Sequence, residues 1–185
     1  MSRLFFGVLV LVLCLTALVG CSKDEKPVSE EQFKALLTME DINSLLDEKI
    51  TLETTFNDVK RSAPNAQPSA IASVDRAYAL IFNTEDATKG LTFTLTDFDS
   101  KKAAREKYDQ VKAATGPPIF TDMSLVIGDA SVELMRDGRG IGSIIMFIAG
   151  DRNVTVHTTL GATVDPLISL DDLKKLAIMV EERLP

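Results

Sequence analysis

The sequence predicts an α+β fold. A single domain is built on a largely antiparallel sheet of about six strands packed with helices, in the order α-βββ-α-βββ-α. Three observations predict it. Strict alternation marks several stretches; in Gly90–Phe98, Leu91, Phe93 and Leu95 oppose Thr92, Thr94 and Thr96. Apolar residues at helical spacing mark both ends of the mature chain and its middle. The connections between strands are short, which favours antiparallel pairing with helices laid on one or both faces.

Each element follows from its residues. Ser29-Glu30-Glu31-Gln32 forms a capping box, with Phe33, Leu36 and Leu37 behind it. Thr38-Met39-Glu40-Asp41 reads as a second start before Ile42, Leu45 and Leu46, so two short helices or one kinked helix occupy 30–48. Over 50–57, Ile50, Leu52, Thr54 and Phe56 alternate with Thr51, Glu53, Thr55 and Asn57 in a half-buried strand. Residues 60–70 carry two prolines among small polar residues and read as a loop. A second strand runs from Val74 to Phe82 with Tyr78, Leu80 and Phe82 on one face; 83–90 turn, and the threonine-rich strand follows. Asp99 or Ser100 caps a helix whose inner stripe is Ala104, Tyr108, Val111 and Thr115, and Gly116-Pro117-Pro118 stops it. Three more strands occupy 131–136, 141–149 and 153–160, with turns at Asp137-Gly138 and Gly150–Asn153. Ser169-Leu170-Asp171-Asp172 opens the last helix, which turns Leu173, Leu176, Ala177, Val180 and Leu184 inward.

The N-terminus is an export signal. Arg3 supplies the positive charge, the run from Leu4 to Val19 is apolar, and Gly20 is the small residue before a cut. That run falls short of the roughly 20 residues a spanning helix needs. Leu18-Val19-Gly20-Cys21 resembles the lipobox of bacterial lipoproteins. The resemblance implies cleavage before Cys21 and a diacylglyceryl thioether on its sulfur, with palmitate-type acyl chains anchoring the protein outside the membrane. The chain thus divides into a signal peptide (1–20), the lipidated Cys21 with a polar tether (21–28), and a domain (29–185). In a two-membrane cell, Ser22 resembles the outer-membrane sorting pattern.

Composition narrows the function. The 185-residue chain holds 27 Asp and Glu against 20 Lys and Arg, a net charge of −7. Such a surface repels nucleic acid and anionic headgroups, so the lipid does the membrane holding. Cys14 leaves with the signal and Cys21 is acylated, so no disulfide is expected. One histidine and no tryptophan disfavour most zinc, haem and histidine-based schemes. No cofactor is expected beyond the covalent lipid on Cys21, and no metal or catalytic residue is assigned.

The layout resembles extracytoplasmic lipoprotein domains of the PsbP/Mog1-like fold group, including actinobacterial sensor-type lipoprotein domains. The resemblance is carried by Thr38-Met39-Glu40-Asp41-Ile42-Asn43-Ser44-Leu45-Leu46, the helix from Asp99 to Val111, Gly128-Asp129-Ala130 and the segment Leu173–Leu184. It implies a non-enzymatic binding, sensor or assembly module, and it carries over no site residue.

Several constellations invite sharper readings. Gly138-Arg139-Gly140-Ile141-Gly142 has a strand on both sides, where a dinucleotide site needs strand, loop, then helix; it reads as a hairpin turn. Asp97-Phe98-Asp99-Ser100 continues into Lys101 and Lys102, which repel a cation, so helix capping explains it. His157 shares a strand face with Thr155 and Thr159 and reads as a partly exposed strand histidine; as a base it would need a nucleophile such as Ser143 or Thr159 and an orienting carboxylate. Asn153-Val154-Thr155 matches a glycosylation acceptor incidentally. The run Ile144–Ile148 reads as a strand buried on both faces, with the wall of a lipid-binding pocket as the alternative. The leading expectation is an anchored module that meets a protein partner or senses a ligand, with 60–73 and 137–142 as contact regions. A carrier for a small hydrophobic ligand, in a cavity between sheet and helices, is the second. An envelope hydrolase using His157 or Asp129 is the third.

Overall fold

The structure, a computed structural model, describes residues 26–62, 73–114, 120–134, 141–160 and 166–185. The stretches read as signal and lipobox, most of the loop expected over 60–70, the stop expected at Gly116-Pro117-Pro118 and the turn expected at Asp137-Gly138 lie outside the described residues. In chain order the elements are α1 (Glu30–Leu36), α2 (Met39–Asn43), β1 (Leu52–Asp58), α3 (Val59–Ser62), β2 (Val74–Thr84), β3 (Lys89–Phe98), α4 (Lys101–Ala114), β4 (Thr121–Asp122), β5 (Ala130–Leu134), β6 (Ile141–Ala149), β7 (Arg152–Leu160) and α5 (Leu170–Arg183).

One sheet runs β1-β2-β3-β7-β6-β5-β4, antiparallel at every pairing. Two meanders, β1–β3 and β4–β7, join at the β3–β7 ladder. The α+β class and antiparallel sheet are as predicted, but the strands number seven. The additional strand is β4, whose two residues pair Thr121 with Glu133 and Asp122 with Val132, too short to show a period. β1 begins at Leu52 because the Asn43 amide claims Ile50: its Oδ1 accepts from Ile50 N at 3.0 Å and its Nδ2 donates to Ile50 O at 3.1 Å. The stretch read as loop from residue 60 opens with the helical turn α3.

Both early helices start on capping boxes, Ser29 with Gln32 and Thr38 with Asp41, and Leu37 in extended conformation separates them. Strand parity then sorts the sheet. Leu80, Phe82, Leu91, Phe93, Val154 and Val156 form one face, packed against α1 and α5 through Phe33, Leu173, Leu176 and Val180. Phe33 stacks on Phe93 at 4.7 Å between ring centroids, and such a pair adds about 0.5–1.5 kcal/mol to simple burial. The run Ile144–Ile148 divides by parity: Ile145 and Phe147 enter this core, while Met146 and Ile148 pack under α4 with Tyr108 and Val132. Both faces are covered, which is why the run lacks alternation.

Two tertiary clasps involve arginine. Arg183 of α5 donates to both Asp41 carboxylate oxygens, at 2.7 and 2.8 Å, and to Leu36 O at 3.1 Å. These bonds, those of Thr38 and the guanidinium charge outweigh burial and hold the Asp41 carboxyl at about 2. Arg152, at the start of β7, is 3% exposed, as is its partner Asp97 directly across the ladder. Its Nε donates to Asp97 Oδ1 at 3.1 Å, one Nη to Pro185 O at 2.9 Å and the other to Lys26 O at 3.3 Å. Asp97 Oδ2 accepts from Val28 N at 2.8 Å, and Val28 is fully buried, so the last tether residues lie against the domain. Burial pushes the Asp97 carboxyl up, and the Val28 amide and Arg152 offset that only in part.

Removing one partner of a buried pair strands the other charge, at a cost of about 3–5 kcal/mol. Arg152→Ala is expected to lower stability by that amount in urea titrations. Arg152→Met with Asp97→Leu is expected to recover most of it; a single variant as stable as the parent would contradict the role given to the pair.

Candidate functional site: a cavity beneath helix α4

The second face of the sheet is built from short polar side chains. The β3–β7 register sets Thr92 opposite His157, Thr94 opposite Thr155 and Thr96 opposite Asn153, with Ala77 and Ala79 beside them on β2. The Ser100 hydroxyl accepts from Ala103 N at 3.2 Å and starts α4, which crosses this face. Of its predicted stripe, Ala104 is fully buried, Tyr108 is 2% exposed and Val111 is partly buried, while Thr115 lies outside the described residues. Threonine and alanine are too small to fill the space under the helix, and a cavity of about 280 Å3 remains. Ala77, Thr94, Thr96, Asn153, Thr155 and Met146 supply its sheet side. Val59 and Lys60 of α3, Val74, Phe98, and Lys107 and Val111 of α4 complete its lining.

Its chemistry is amphiphilic. The two charged lining residues are lysines. The Lys60 ammonium donates to the carbonyls of Val74 and Asp75, and that of Lys107 reaches Gln110 Oε1 at 3.4 Å; neither bond involves a carboxylate. Asn153 Oδ1 is buried with no partner among the described residues. The Tyr108 hydroxyl and His157 Nδ1, on the same layer, share that state. Burial, reinforced by Asp122, pushes the Tyr108 hydroxyl up to about 12. Burial alone pulls the His157 imidazole below its usual value. An unsatisfied buried polar atom costs about 1–3 kcal/mol, so a ligand or water that reached Asn153 would find an acceptor waiting.

The sequence-derived candidates take other places. His157 lies on the predicted face, but the register sets Ile144 opposite it, and the Ser143 amide donates at 3.2 Å to the hydroxyl of Thr158, the next residue along β7. The Asp129 carboxylate accepts from Gly150 N at 2.8 Å and serves a turn. Asp97 holds Arg152, and the Asp99 carboxylate accepts from the Ser100 hydroxyl at 3.0 Å. No group of three His, Cys, Asp or Glu able to hold a metal occurs among the described residues. Most of both proposed contact regions lies outside them. A second hollow, about 790 Å3 and open, lies between the α2–β1 connection and the β2–β3 turn. Its Asp86 is committed to that turn, accepting from Thr84 Oγ1 at 2.6 Å and from Thr88 N at 3.1 Å, which lowers its carboxyl.

The sequence exposed the threonine alternation but not the cavity, because spacing gives the face of each side chain and not the standoff of the helix above it. No family model matches the chain, and no curated protein does. Among solved structures, the fold is similar to the extracellular domain of PknH from Mycobacterium tuberculosis, with a TM-score of 0.54 and 12% identity over 85% of this chain and 96% of that one. The likeness shows the shared α+β fold. No helix among the described residues is long and apolar enough to cross a membrane.

A buried imidazole held neutral has a folded pKa below its unfolded value, so its contribution is complete above pH 6.5 and is lost as pH falls through the folded pKa. His157→Gln is expected to flatten the decline in stability between about pH 7 and 5; thermal melts across that window check it, and an unchanged decline would contradict it.

Proposed function

We propose that the chain is a non-enzymatic sensing or binding module of the cell envelope, held outside the membrane by lipid on Cys21, whose cavity beneath α4 receives a small hydrophobic molecule. The cavity carries the reading. It lies between the sheet and a helix, most of its lining surface is apolar although half of its lining residues are polar, and a few polar groups converge on it, the pattern of small-molecule sites. The likeness to an extracellular domain agrees with an extracytoplasmic place. Ser143, one of the two nucleophiles considered, is not the residue set opposite His157, which argues against the hydrolase in that form.

Of the sequence-based alternatives, the carrier gains most. The core between the sheet and α1 and α5 is filled, whereas the α4 side is not. The Ile144–Ile148 run thus serves in both ways weighed for it: Ile145 and Phe147 are core, and Met146 lines the cavity.

The test follows the Met146 methyl signal by NMR in full-length protein in lipid nanodiscs during titration with octanol and octanoate. A saturable shift is expected with at least one of them. Ala77→Leu, which fills the cavity from its sheet side, is expected to weaken that binding by about tenfold, roughly 1.4 kcal/mol, without lowering the melting temperature. No saturable shift with either probe would contradict the proposal.

A further inference from the structure

We propose that the end of the domain marked by Arg152 rests on the membrane surface, with Leu125 and Val126 in contact with lipid. The proposal depends on the Cys21 anchor proposed above and goes beyond it, since a lipid alone sets no orientation.

The observations concern one end of the sheet. Four large hydrophobic residues are exposed among the described ones: Leu125 at 62%, Val126 at 58%, Val59 at 41% and Met39 at 40%. Three of these belong to the end where β1 finishes, β2, β5 and β7 begin, and β6 turns into β7 at Gly150-Asp151. Leu125 and Val126 form the tip of the β4–β5 loop, between Met123 and Ile127, which are both buried. The loop is fixed. Ile127 N donates to the Ser131 hydroxyl at 3.0 Å, Asp129 N to Ile148 O at 2.7 Å, and Gly150 N to Asp129 Oδ2 at 2.8 Å. Gly128 makes the close approach with φ +62°, and a Cβ there would stand 2.3 Å from Ile148 O. A fixed loop that holds Leu125 and Val126 outward, with Val59 exposed at the same end, is suited to contact with an apolar phase.

The chain itself names that phase. Lys26 O is bonded to Arg152 at this same end, and four residues lie between Lys26 and Cys21. The five extended Cα-to-Cα steps reach at most about 18 Å. With neighbouring strands about 4.8 Å apart, the β4–β5 loop lies roughly 10–15 Å from the start of β7. The opposite end, at the β2–β3 turn, stands about 35 Å away along the 11 residues of β2. A lipid on Cys21 therefore brings the Leu125 end to the bilayer. A chain of net charge −7 gains nothing from anionic headgroups, so the contact is apolar. It also places Val59, Val74 and Phe98, on one side of the cavity, next to the leaflet.

The test uses full-length, natively processed protein in phosphatidylcholine vesicles. An environment-sensitive fluorophore is attached at Leu125→Cys, at Val126→Cys, or at Glu85→Cys on the opposite end; the acylated Cys21 does not react. Probes at 125 and 126 are expected to shift to shorter wavelength and to be quenched several-fold more by spin-labelled lipid than the probe at 85. Vesicle flotation with no quenching at 125 and 126, or with equal quenching at 85, overturns the proposal and leaves the anchor standing. Failure of the unlabelled protein to float overturns the anchor and this proposal together.

Discussion

The buried pair of Asp97 and Arg152 is the constraint on which the rest of the structure depends. Each charge is removed from water, and each is satisfied by a nearly complete set of partners drawn from distant parts of the chain. Arg152 joins β3, the Lys26 carbonyl and the carbonyl of Pro185; Asp97 adds the Val28 amide. The pair thereby ties both ends of the domain to the centre of the sheet, at the join between its two meanders. Such a pair adds little net stability, and the observed register is one that leaves neither charge alone in the interior.

Register is what creates the two faces. With Asp97 opposite Arg152, Leu95 meets Val154 and Phe93 meets Val156 on one side, while Thr96 meets Asn153 and Thr94 meets Thr155 on the other. A slip of one residue would exchange the faces. The first face is filled by Phe33 and the leucines of α5. The second carries side chains too small to meet α4 everywhere, and the shortfall is the cavity. Packing and the cavity are thus two results of a single alternation, and the lysines of α3 and α4 add charge to the cavity lining.

Much of this was legible in the residues. The capping box at Ser29, the second start at Thr38, the pair Ala104 and Tyr108 and the alternation of β3 report local geometry that spacing determines. The two-residue β4 was not legible, since it exists only because β5 offers it a partner. Nor was the loss of Ile50 from β1, which depends on the Asn43 side chain folding back across the connection. Asp97 looked like a cap in the sequence; its role needs Arg152, 55 positions later, and nothing local marks that pairing. Spacing put Thr94 and Thr96 on a common strand face and Val111 on a helix stripe without marking them as a site, because their convergence with Met146 is a property of three elements at once.

The anchor proposed at Cys21 and the ligand proposed for the cavity are open to a single measurement. Intact mass spectrometry of the protein from native membranes, recorded denatured and then under native conditions, tests both most directly. The account predicts a denatured mass of residues 21–185 plus acyl chains, and a native mass larger still by a ligand that departs on denaturation. An unmodified full-length mass would contradict the anchor, and equal native and denatured masses would contradict a cavity occupied in the envelope.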